Sequence, residues 1–238
     1  MDGFSYYNIF QTKGIEYLAI IAFLIMLIPF WVVLNKPVKI TVQLQKIMGV
    51  LSANVLRIPQ GLFYSKNHAW TYLEKSGRAK VGLDDLLLKI VGPVKIACVR
   101  NEGEVIKKGD LLAEVDQQGK SLKIYSPISG MILDANPMLT ENPDILNEDP
   151  YGKGWIYDIK PTEWIGETKS YFVAKEATSW FTKELERLKD FLAVSMKRNA
   201  VEPSLVVLQE GGELRMHPLS ELQNDIWQDF QNEFLNQT

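Results

Sequence analysis

Between Ile58 and Trp164 the sequence breaks into short apolar runs separated by turn residues, and this rhythm constrains the fold more than any other feature. In VKIACVRNEGEVIKKGDLLAEV, residues 94–115, Val94, Ile96 and Cys98 alternate with Lys95, Ala97 and Val99. Asn101-Glu102-Gly103 and Lys108-Gly109-Asp110 supply turn chemistry, and Val105-Ile106 and Leu111 to Val115 supply strands. KIYSPISGMILDANPMLTENPDIL, residues 123–146, has a similar order of strand and turn. Two related halves joined at Gln117-Gln118-Gly119-Lys120 predict two small sheets packed face to face with quasi-twofold symmetry. Lys80 to Leu83 reads as a further strand. The alternation places Cys98 inward, as a small core residue.

The chain has 238 residues, enough for one or two compact domains with extensions. Its net charge is −3 and no basic patch is interleaved with aromatics, so no nucleic-acid partner is expected. A single cysteine permits no internal disulfide and fits a reducing compartment. His68 and His217 lie far apart, and no metal-ligand spacing is recognisable. There is no Ser-His-Asp signature and no phosphate-binding glycine loop, so the chain reads as non-enzymatic. His68 has no partner visible in the sequence and receives no role.

Residues 17–34, YLAIIAFLIMLIPFWVVL, carry no charge and read as a transmembrane helix containing Pro29. A cleaved signal peptide is disfavoured, because the leader MDGFSYYNIF lacks a basic start. Lys36, Lys39, Lys46 and Arg57 follow the run, which places the C-terminal bulk on the cytoplasmic side. The expectation is a single-pass protein of the cytoplasmic (inner) membrane, touching the bilayer through residues 17–34. Residues 1–16 form a short external N-terminus, 17–35 the span and 36–57 a juxtamembrane connector, helical in its second half. Residues 167–238 form an α+β appendix of helix, hairpin and helix. Its first helix is predicted over 168–197, with Phe181, Leu185, Leu188 and Leu192 on one face. Leu205 to Leu208 and Glu213 to Met216 flank Glu210-Gly211-Gly212 as a hairpin, and Pro218 opens the last helix. That helix either packs on the domain, the favoured reading, or offers Trp227, Phe230 and Phe234 to a partner.

A set of motifs then runs in order along residues 58–166. They are Ile58-Pro59, Leu62, Tyr64, His68-Ala69-Trp70, Val81-Gly82-Leu83-Asp84, Gly103-Glu104-Val105 and Lys107-Lys108-Gly109. After these come Ile124 to Gly130, Asn136, Leu146 to Gly152, Gly154-Trp155 and Ile159-Lys160-Pro161. Together they resemble the H protein of the glycine cleavage system, within the lipoyl-domain-like superfamily. The resemblance implies a mainly β central domain, a barrel-sandwich hybrid of two small sheets. It also implies a lysine at the hairpin tip that carries lipoate as a shuttling arm. Aligned without gaps on Tyr125-Ser126-Pro127, this chain has Gly119 where that lysine belongs. Asp116 matches an upstream glutamate, Gln117 and Gln118 replace a serine and a valine, and Lys120 falls one position late. A slip of one residue turns a side chain to another direction. Gly119 is therefore expected at the positive-φ position of the turn. Lys120 is expected as a solvated turn residue without lipoate, and Lys123 as a strand residue. Trp70 and Trp155 read as packing residues, and Asn147 to Gly152 as a capped turn.

The function expected is a membrane-anchored, non-lipoylated module without cofactor. It would dock or scaffold a protein partner in a membrane-associated complex, redox by analogy with the family. Gln117, Gln118, Gly119, Lys120, Trp227, Phe230 and Phe234 are the candidate partner-binding residues. One alternative is a membrane-tethered lipoyl carrier using Lys120 for cofactor attachment. Another is an envelope adaptor of an efflux pump, disfavoured because a tip of about four residues joins the halves in place of a long helical hairpin.

Overall fold

The computed structural model describes residues 9–34, 49–198, 208–209 and 213–236. Two units are distinguished, Met1–Leu44 and Gln45–Thr238. The first contains α1, Ile9–Leu34, with Pro29 inside it. Its described side chains, 17–31, are all exposed. Among the described residues no helix is long and apolar enough to cross a membrane. The expectation of a transmembrane helix over 17–35, and of a single-pass protein of the cytoplasmic membrane, is corrected on that finding.

Among the described residues the second unit contains three sheets. The largest contains β2 (Phe63–Tyr64), β3 (Ala69–Leu73), β4 (Ala79–Leu83), β10 (Tyr157–Pro161), β9 (Gly130–Ala135) and β6 (Val105–Ile106), in that spatial order. A three-stranded sheet has the order β5 (Lys95–Cys98), β7 (Leu111–Gln117), β8 (Lys120–Tyr125). The pairings within both are antiparallel. Alternation works as the sequence implies: Leu122 and Ile124 of β8 are buried, whereas Ser121 and Lys123 are exposed. Tyr157 ties the two sheets together. Its hydroxyl accepts from Arg100 N at 2.9 Å and shares its proton between Arg100 O and Leu112 O, both at 3.1 Å.

The second half of the 36–57 connector, expected to be helical, instead contributes a strand to the third sheet. Residues 35–48 lie outside the described residues, but β1 (Val50–Leu51) pairs with β12 (Glu213–Arg215), and β12 with β11 (Leu208–Gln209). A single 3-10 turn, Ala53–Val55, follows β1. Val50, Leu51 and Leu214 are buried, so this small sheet belongs to the core. Arg57 then fastens the segment: its guanidinium grips Asp85 Oδ1 at 2.8 and 3.1 Å and donates to Asn147 O and Glu148 O, both at 2.7 Å.

Helices cover the sheets. α2 (Asp85–Val91) starts where Asp84 Oδ1 accepts from Leu87 N at 2.8 Å, an N-cap bond. It ends at Gly92, with φ 92°. Two short helices, α3 (Met138–Glu141) and α4 (Ile145–Glu148), precede β10, and α5 (Trp164–Thr168) follows it. The helix expected over 168–197 starts later, as α6, Ala174–Arg198. Tyr64 and Phe172 exchange both backbone bonds, at 3.0 and 2.9 Å, and so hold the chain extended before it. Ala177, Phe181, Leu185, Leu188 and Leu192 form its buried face. The last helix, α7 (Asn224–Phe230), begins six residues beyond Pro218 and continues as a π-helical turn, Gln231–Leu235. Part of the expected hairpin, 205–207 and 210–212, falls outside the described residues.

Cys98 departs from the alternation. Val94 is buried and Ile96 half-buried, but Cys98 is exposed. β5 is the outer strand of its sheet and pairs with β7 alone, so its far end projects beyond the cover.

Candidate functional site

The β7–β8 hairpin is the place where the sequence suggested chemistry. Gln117 pairs with Lys120, leaving Gln118 and Gly119 as a two-residue loop. Both have positive φ, 54° and 83°. A two-residue hairpin of that kind requires left-handed backbone at both centres, which glycine adopts without cost. Gly119 thus occupies the expected conformation, and nothing lies within 4 Å of where its Cβ would be.

The seven candidate residues fall into three groups. Gln118 and Gly119 are exposed at the tip. Gln117 is buried, contrary to the expectation of a surface residue, because its Nε2 donates to Val91 O at 2.7 Å and Pro93 O at 3.3 Å. Lys120 is not a solvated turn residue either. Its Nζ donates to Ser220 O and Leu222 O, both at 2.8 Å, and stands 5.6 Å from the centre of the Trp227 ring. Trp227, Phe230 and Phe234 are fully buried. Phe230 and Phe234 stack 4.6 Å apart, and Phe191 of α6 meets Phe234 edge-on at 5.4 Å. Those three are core residues, with no face left for a partner.

The C-terminal segment therefore covers the hairpin. Gln231 reads the backbone of β8: its Oε1 accepts from Lys123 N at 2.7 Å and its Nε2 donates to Lys123 O at 3.2 Å. β8 is an outer strand, so this carboxamide satisfies part of an otherwise open edge.

A second cluster was missed by sequence reasoning. His68, with φ 59°, is fully buried, and its Nδ1 lies 2.9 Å from Asp84 Oδ2. Its Nε2 is 3.5 Å from Glu184 Oε1, an electrostatic contact longer than a good hydrogen bond. Arg187 Nη1 meets the same Glu184 oxygen at 2.6 Å. The imidazole lies between Trp180, 5.3 Å away, and Phe234, 6.3 Å away. Burial lowers the His68 pKa, but the carboxylates of Asp84 and Glu184 outweigh it and raise it to about 9. Burial raises the carboxyl of Asp84, against the pull of His68. Burial also opposes ionisation of Glu184, yet His68 and Arg187 bring it below its ordinary value. The two carboxyl groups favour the protonated form of His68, and burial opposes the charge on all three side chains. The only sequence signal for it was Asp84 at a helix start, because Glu184 is over a hundred residues from His68.

A cavity of about 540 Å³ opens between Asn67, Tyr125, Pro127, Tyr171 and Leu235, with Lys66 and Lys108 at its rim. Lys108 is engaged with Glu167 O at 3.2 Å and lies 4.7 Å from the Tyr171 ring centre. Among the described residues no group of three or more His, Cys, Asp or Glu side chains is placed to hold a metal ion.

The model of the glycine cleavage H-protein family matches residues 62–184. A probable glycine cleavage system H protein of Pyrococcus furiosus is 35% identical over 119 residues, covering 50% of this chain and 88% of that protein. The glycine cleavage system H protein of Thermus thermophilus is 35% identical over 106 residues, 44% of this chain and 82% of that one. A crystal structure of the H protein from Mycobacterium marinum, 24% identical, aligns over 52% of this chain and 98% of its own length with a TM-score of 0.46. By the extent of the family match and the identity to these relatives, the chain belongs to the glycine cleavage H-protein family.

Proposed function

We propose that the chain is a non-catalytic, unlipoylated H-protein-like module that docks a protein partner within a larger complex. The observation that carries this reading is the hairpin tip. On the ungapped alignment through Tyr125-Ser126-Pro127 the carrier lysine is replaced by Gly119, which would offer no side chain for an arm, and the neighbouring Lys120 is engaged by backbone carbonyls of the C-terminal segment. A carrier arm works by swinging freely from an exposed amine, and this amine is held. The exposed tip, Gln118 and Gly119, is the part of the hairpin left for a partner.

The test is intact-protein and peptide mass spectrometry on the chain purified from its native source, with copurifying proteins identified alongside. An unmodified Lys120 together with a stoichiometric partner is expected. A lipoyl-sized increment on Lys120, absent in Lys120→Arg, would replace this reading with that of a lipoyl carrier.

A further inference from the structure

The contacts on Lys120 arise from a continuous run of chain. His217 N donates to Lys89 O at 2.8 Å and Leu219 N to Ile90 O at 3.1 Å, which fixes the segment on the C-terminal end of α2. Ser220 and Leu222 then present their carbonyls to the Lys120 ammonium. Trp227 is held by its own Nε1–H, which donates to Leu219 O at 2.8 Å, and its ring faces the same ammonium. One turn further, Gln231 closes on the backbone of Lys123. Anchor, ammonium seat and edge clamp thus lie on one segment of about twenty residues and act on one hairpin.

We propose that residues 217–236 form an intramolecular clasp that binds the Lys120 ammonium and withholds it from acyl-transferring enzymes. Acylation of a lysine begins with loss of a proton from the ammonium. The free amine then attacks the acyl carbonyl, the leaving group departs with the electron pair of its broken bond to carbon, and the nitrogen releases a second proton to solvent as the neutral amide forms. In the clasp two ammonium hydrogens are committed to carbonyls, and the amine is partly covered. Both deprotonation and approach of an acyl donor require the clasp to open. Charge-assisted hydrogen bonds of this kind make such opening unfavourable. The proposal rests on and deepens the reading of an unlipoylated module, because it names what would keep the lysine next to the tip unmodified.

The test is competitive acetylation of the full-length chain by N-hydroxysuccinimidyl acetate at about pH 8, well below the ordinary lysine pKa. The rate at each lysine is read by peptide mass spectrometry. Lys95 and Lys123, both exposed, are internal references. Lys120 is expected to react at least ~10-fold more slowly than either. Gln231→Ala and Trp227→Phe are expected to narrow that gap, with Lys95 unchanged. Trp227→Phe retains an apolar ring should a smaller residue prevent folding. Equal rates at Lys120 and Lys123 in the wild-type chain overturn the clasp, and so does a protected Lys120 that neither variant releases. The first of these results, with an unmodified Lys120 in the native-source protein, would reject the clasp and leave the unlipoylated module standing.

Discussion

His68 and Asp84 form a fully buried ion pair, with Nδ1 2.9 Å from Oδ2, inside a domain whose sequence gave this histidine no partner. Burial opposes the charge on His68, but its carboxylate neighbours prevail and raise its pKa from 6.5 to about 9. A pKa raised on folding contributes stability that is complete below the unfolded value and is lost as pH rises through the folded one. Stability to urea is therefore expected to fall between pH 6.5 and about 9 by more than in His68→Gln. A wild-type midpoint as flat with pH as the variant's would contradict the pairing. At neutral pH His68→Leu should cost about 3–5 kcal/mol, because it leaves Asp84 buried opposite an apolar side chain.

Two glycines should respond to the same substitution for different reasons. A Cβ on Gly82 would lie 2.6–2.8 Å from atoms of the buried Trp70 ring, so Gly82→Ala overpacks the large sheet and should cost about 1–3 kcal/mol. A Cβ on Gly119 meets nothing within 4 Å, and the penalty of Gly119→Ala is only the left-handed backbone, about 1–2 kcal/mol. The distinction is visible in Trp fluorescence, which should shift for Gly82→Ala and stay constant for Gly119→Ala.

Tyr157→Phe should separate the two sheets energetically without unfolding them. It removes the hydroxyl that serves Arg100 N, Arg100 O and Leu112 O, a loss of about 1–3 kcal/mol in chemical denaturation. Hydrogen exchange should quicken at Arg100. A variant as stable as wild type would show that water replaces the hydroxyl fully.

Gln231→Ala should expose the backbone of β8. Loss of a bond of about 1 kcal/mol at Lys123 N predicts amide exchange there roughly 5–10-fold faster. Residues of β4, at the centre of the large sheet, should keep their protection. Unchanged exchange at Lys123 would mean that Gln231 does not hold the edge in solution.

The strand rhythm, the turns at Gly103 and Gly109, the turn glycine at 119 and the apolar face of α6 were all legible in the sequence. Each follows from local chemistry: side chains alternate on strands, recur every three or four residues on helices, and give way to glycine where φ is positive. The family was legible because its motifs sit on those same turns and strands. Tertiary structure alone decided the rest. Alternation says which side chains share a face but not whether that face is covered, so Cys98 was placed inward and emerged on an outer strand. A polar residue's partner is set by what packs against it, and here the partners are distant: Lys120 meets carbonyls of Ser220 and Leu222, 100 and 102 residues away. His68 likewise meets Glu184 across the core, and no local pattern encodes an encounter that only the packing of α6 on the sheets creates.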